Sequence, residues 1–79
     1  MGTIYTYARA IKIHEIGGTN PVITKADVLL STGVIEHYDW NSHRDRKEIM
    51  KLVNHYTHFI DEREDATWEG LCRFYGANP

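Results

Sequence analysis

Thr24-Lys25-Ala26-Asp27-Val28-Leu29-Leu30-Ser31-Thr32-Gly33 is the stretch on which the fold turns. Read as a helix, it has Thr24 as N-cap, Asp27 at the third position and Gly33 as a stop. Read as a strand, it places Ala26, Val28 and Leu30 on one face, in step with Val22 and Thr24 before them. Asp27 is a poor strand residue, and the adjacent Leu29 and Leu30 fit neither period well. We take the strand, because Val22-Ile23-Thr24 already reads as the return arm of a hairpin.

Working backwards, Gly17-Gly18-Thr19-Asn20-Pro21 is the clearest turn signal in the chain. Glycine supplies positive φ, asparagine tolerates it, and Pro21 cannot donate into a ladder. Ahead of the turn, Ile4 to Ile16 is rich in Tyr and Ile. Tyr5, Tyr7, Arg9, Ile11 and Ile13 alternate with Thr6, Ala8, Ala10, Lys12 and His14, which predicts a half-buried strand. Working forwards, Val34 to Trp40 alternates in the same way and predicts a third strand.

Beyond Trp40 the period changes. Ser42 followed by Asp45 is a helix-start signature. Ile49, Leu52, Val53, Tyr56, Phe59 and Ile60 share one face at 3.6-residue spacing, with Lys51, Asn54, His58 and Asp61 opposite. The spacing predicts one long helix from His43 to Arg63. Glu62-Arg63-Glu64-Asp65 forms a polar break, and a short helix follows with Trp68, Leu71, Cys72 and Tyr75 as its stripe and Gly76 as its terminator. The expected fold is a single α+β domain over residues 1–79: a small antiparallel meander of two or three strands packed on one long amphipathic helix, with a short C-terminal helix.

A chain of 79 residues buries only about 60% of the surface it exposes when unfolded, so it has little stability to spare. The lone cysteine, Cys72, rules out an internal disulfide and suits a reducing compartment. No apolar run approaches the roughly 18–20 residues a membrane-crossing helix needs, and the opening residues lack the pattern of a secretory signal. A cytoplasmic location is expected, with no membrane role.

Five histidines are many for this length. His55 and His58, with His37, Asp39, His43 and Asp45 upstream, are residue types that zinc accepts. Neither His-Glu-x-x-His nor Cys-x-x-Cys is present, and we assign no metal and no cofactor. Pieces for catalysis, such as Cys72 with a histidine or Glu36 with His37, lack a distinguishing spacing. Cys72 lies on an apolar stripe, and no catalytic residue is assigned.

Charge order on the predicted long helix is unusual. Arg44, Arg46 and Lys47 crowd its start while Asp61, Glu62, Glu64 and Asp65 crowd its end, against the helix dipole. The simplest account is a solvated end in which Asp45 and Glu48 offset the arginines. The sharper one is contact with an anion or nucleic acid through Arg44, Arg46, Lys47 and Lys51. In that case, with Thr24 to Gly33 helical, the segment resembles the first helix and turn of a helix-turn-helix. A formal charge of −2 does not favour nucleic acid.

Trp, Tyr and Arg are enriched at binding hot spots. Trp68 and Tyr75 fall on the apolar stripe and read as core, leaving Trp40, Arg73 and Phe74 as candidate contacts with a partner. The sequence therefore points to a small non-enzymatic protein-binding module: an inhibitor, adaptor or regulatory accessory protein of the kind phages and mobile elements encode. Its expected partner is a protein, a second copy included. The alternative is a nucleic-acid-binding regulator that uses the basic cluster.

Overall fold

The computed structural model describes residues 6–17, 19 and 22–77. It shows an α+β fold with a four-stranded sheet and two helices. In chain order these are β1 (Ala8–Ile16), β2 (Val22–Leu30), β3 (Ile35–Asp39), α1 (His43–Leu52), β4 (His58–Asp61) and α2 (Asp65–Phe74). Ile4 and Tyr5 of the expected first strand, and Gly18, Asn20 and Pro21 of the expected turn, lie outside the described residues.

The sheet order is β3-β2-β1-β4, so β2 is an inner strand. That position explains the stretch on which the fold turned. An inner strand covered on both faces carries apolar residues at both parities. Leu29 faces one core with Ala10 and Ile60, while Val28 and Leu30 face the other with Ile11 and Ile49. The helical reading of Thr24 to Gly33 is overturned, and the helix-turn-helix reading falls with it.

Strands β1, β2 and β3 form the expected antiparallel meander. The fourth strand was not foreseen. β4 lies parallel to β1 at the far edge, with Ile11 opposite Phe59 and Lys12 opposite Ile60. The chain leaves β3 at one edge and enters β4 at the other, and α1 makes the crossover that parallel strands require.

The predicted long helix is therefore corrected: it stops at Leu52, and Val53 is already extended. Asn54 ends it by offering the backbone another partner. Its Oδ1 accepts from Tyr56 N at 2.8 Å, and its own N–H donates to Thr57 Oγ1 at 3.0 Å. Thr57 Oγ1 then donates to the Ala8 carbonyl at 2.7 Å, pinning the turn to β1. Of the residues that follow, Tyr56, Thr57, Phe59 and Ile60 are β-formers. As a strand they bury Ile60 and leave Phe59 60% exposed, where a helix would have buried both.

Each helix closes one face of the sheet. Ile49, Leu52 and Val53 from α1 and its end pack on Ala8, Ile11, Ala26 and Val28. Trp68 and Cys72 of α2 pack on Ala10, Leu29 and Ile60, with Leu71 and Tyr75 at the margin. The stripe predicted for α2 is the one observed. Gly76 (φ 75°) ends this helix, with its N–H bonded to Arg73 O at 3.1 Å and that of Ala77 to Cys72 O at 2.7 Å. This is the Schellman pattern, completed by the burial of Ala77 against Cys72.

Candidate functional site

Two clusters on the α2 side of the sheet hold side chains whose arrangement goes beyond packing. The first is built on an irregularity. Between Ala8 and Ala10 the pairing of β1 with β2 slips, so Arg9 is the extra residue of a β-bulge. A bulge re-aims a side chain that alternation would have sent elsewhere. Strict alternation puts Arg9 with Ile11 and Ile13, toward α1. The bulge sends it to the C-terminal end of α2. There its Cζ lies 4.1 Å from the Tyr75 ring centroid and 5.3 Å from that of Tyr7.

The surroundings fix this arrangement from the backbone up. Tyr7 is held to the β2–β3 turn by two bonds: its N–H donates to Ser31 Oγ at 3.1 Å, and its carbonyl accepts from Ser31 N at 2.8 Å. Gly33, in the same turn at φ 89°, approaches α2 so closely that a Cβ there would lie 2.9 Å from the Tyr75 carbonyl oxygen. Phe74 meets the Tyr75 ring edge-on, centroids 4.9 Å apart, and is itself 79% exposed. Among the described residues Arg9 has no ion pair, and its buried Nε has no hydrogen-bond partner.

The second cluster is polar. Asp27, in mid-strand on β2, accepts from His14 Nε2 on β1 and from His37 Nδ1 on β3, each at 2.7 Å. His14 Nδ1 lies 3.4 Å from Glu62 Oε2, just past β4, so this ladder ties all four strands. Burial by itself would raise the Asp27 pKa. The hydrogen bonds and charges of His14 and His37 outweigh it and hold the carboxyl below its ordinary value of 3.8. Beside the ladder opens a groove of about 570 Å³, lined by Lys25, Tyr38, Asp39 and Asp45 together with the triad.

His37 with Nδ1 on Asp27 has the form of an oriented base. The groove supplies no serine, threonine or cysteine to accompany it. Its one hydroxyl, on Tyr38, has its pKa pushed up by burial and by Glu36, Glu48 and Asp45. Cys72 is buried in the other half of this face, and burial pushes its thiol pKa up as well. Neither is an activated nucleophile.

The residues predicted from sequence fall in separate places. Phe74 joins the arginine corner. Arg73 is exposed on α2, with its Nη2 3.9 Å from Glu69. Trp40 is half-buried and packs into the α1-side core, on the opposite face of the sheet. Arg44, Arg46 and Lys47 are exposed on α1, and Lys51 pairs with Glu48 at 3.3 Å. Asp45 lies among them, accepting from Asp39 N at 2.9 Å. Of the histidines considered for metal, His55 lies tilted against the Tyr56 ring in the turn and His58 begins β4, so they do not share a helical face. No group of ligands suited to a metal occurs among the described residues.

Arg9 was not singled out from the sequence, although a signal existed. A charge at the inward parity of an otherwise apolar set needs either a partner or a change of register. His14 and Asp27 escaped because their meeting depends on strand register. Models of known families, characterised proteins and solved structures all yield no match to this chain. Its function has to be argued from the two clusters themselves.

Proposed function

We propose that the protein is a small non-enzymatic binding module that acts by protein–protein contact through the corner formed by Tyr7, Arg9, Phe74 and Tyr75. One observation carries this reading: Phe74 is 79% exposed and meets edge-on the Tyr75 ring, which itself lies against Arg9. The apolar surface of Phe74 in water adds nothing to the stability of the fold. Tyrosine and arginine beside it give the composition of a binding hot spot, with anchors that surrender little conformational freedom on contact.

The test is capture of the tagged protein's partners from a lysate of the source cell, with and without nuclease, using wild type and Phe74→Ala. A single dominant protein should survive nuclease, and its recovery should drop at least about tenfold with the variant, as for a hot-spot truncation of ~2 kcal/mol. Identical recovery by both forms would refute the assignment of the corner. Loss of recovery with nuclease would turn attention to the alternative, nucleic acid at Arg44, Arg46, Lys47 and Lys51. The exposure of those four residues supports that alternative, while the interleaved Asp45 and Glu48 weaken it.

A further inference from the structure

Arg9 has the form of a binding group that lacks its counterpart. A guanidinium carries five N–H donors in a planar fork and no acceptor. Buried donors in folded proteins are nearly always paired, yet Arg9 Nε is shut from water with no acceptor among the described residues. No carboxylate of the described residues lies within ion-pair distance of it either. The Tyr7 and Tyr75 rings, 5.3 and 4.1 Å from Cζ, attract the cation without accepting any of its N–H groups; Nε is sealed off, so the terminal Nη nitrogens are the edge that a group from outside can meet. The bulge in β1, the Ser31 bonds to Tyr7 and the close approach of Gly33 to Tyr75 all fix the position of that edge.

Resting on the reading of this corner as a protein-binding surface, we infer that Arg9 receives a carboxylate of the partner, with an apolar group of the partner beside it on Phe74. A carboxylate matches the fork in charge and geometry, accepting two parallel N–H bonds. A phosphoryl group is the weaker match. It carries up to two charges, and the nearest cation in sequence on this helix, Arg73, faces Glu69. The formal charge of −2 also disfavours attraction of a polyanion. The aromatic edge of Phe74 suits an apolar side chain next to the acid, so the recognised element is an acidic side chain or chain terminus with an apolar neighbour.

The experiment uses the full chain, labelled with nitrogen-15, and follows the Arg9 Nε–Hε signal with the backbone amides. It is titrated with N-acetyl-phenylalanine, which joins a carboxylate to an aromatic ring, and in parallel with its amide and with inorganic phosphate. The expected result is saturable movement at Arg9, Phe74 and Tyr75 with the acid, at least tenfold weaker with the amide and with phosphate. Arg9→Lys, which keeps the charge and loses the fork, should weaken the acid's binding several-fold. Equal responses to acid and amide would overturn the inference, as would movement confined to other residues or none at all. A stronger response to phosphate would overturn it in favour of a phosphoryl ligand. Partner capture that depends on Phe74 but shows no such acid preference would leave the binding module standing and remove the role of Arg9.

Discussion

Replacing Asp27 by asparagine keeps the shape of the side chain and removes the charge that joins three strands. In the wild type both carboxylate oxygens accept, one from His14 and one from His37, each at 2.7 Å. The amide can accept from only one of them and presents N–H to the other, which can meet it only as the neutral ring in its other tautomer, and the charge assistance is lost at both. A hydrogen bond to a charged group contributes about 1.5–3 kcal/mol where solvent is excluded. His14 is 30% exposed and keeps part of that value, whereas His37 at 76% behaves as a surface pair worth ~0–1 kcal/mol. The substitution should therefore cost about 1–2 kcal/mol near pH 6, or roughly 4–16 °C in melting temperature for a domain of this size.

The pH dependence gives the sharper test. Asp27 has a folded pKa below its ordinary value of 3.8, so the unfolded chain takes up the proton first as pH falls. Its contribution is fully present above pH 3.8 and is lost as pH drops through the lower folded value. Urea midpoints followed by circular dichroism from pH 6 downward should show the gap between wild type and Asp27→Asn holding to about pH 4 and then closing. Equal midpoints at pH 6 would refute the reasoning. A gap that stays constant into acid would show that the variant acts through shape and not charge. His14→Gln should also cost more than His37→Gln, because only the first side chain is substantially buried.

Gly33→Ala should destabilise by about 2–3 kcal/mol, because it forces a side chain into the left-handed region and against the Tyr75 carbonyl 2.9 Å away. Thermal melting checks the magnitude, and movement of the Arg9 Nε–Hε signal checks that the strain reaches the corner. Thr57→Val should cost about 1–3 kcal/mol by stranding the Asn54 N–H and one acceptor site on the Ala8 carbonyl, whereas Thr57→Ser should be nearly neutral. Urea titration of the two variants separates loss of the hydroxyl from loss of the methyl.

Much of the fold was legible where local signals agreed. Ser42 caps α1 as expected, with Oγ accepting from Asp45 N at 3.3 Å. The Asp45 side chain does not return to Ser42 to complete a capping box, but turns to Asp39 on β3. The stripe and terminator of α2 were read correctly because period, composition and glycine placement coincide there. The long helix failed because six apolar residues from Ile49 to Ile60 fit a 3.6-residue period by position while their types favoured a strand. Asn54 decides between the two, since its side chain competes for the very backbone groups a helix would use. A parallel edge strand leaves no local signature either, because its pairing partner lies far away along the chain.

The site was less legible for a related reason: both clusters depend on register. Alternation along β1 predicts that Arg9 and Ile11 share a face, and one extra residue reverses that. The same irregularity gives a reason to favour the corner over the groove as the working surface. The groove's triad is internally satisfied, since Asp27 takes both His14 and His37 while His14 also faces Glu62 outside the groove, and these pairs hold the sheet together. At the corner several costs accumulate without such closure. A bulge interrupts the ladder, Arg9 Nε is buried without a partner, and Phe74 stays in water. Each is mildly unfavourable for a domain with little stability in reserve, and all act on the same few side chains. Local choices that oppose folding and converge on one point are what the proposed binding surface would leave in a structure, with the compensating contacts made in a complex.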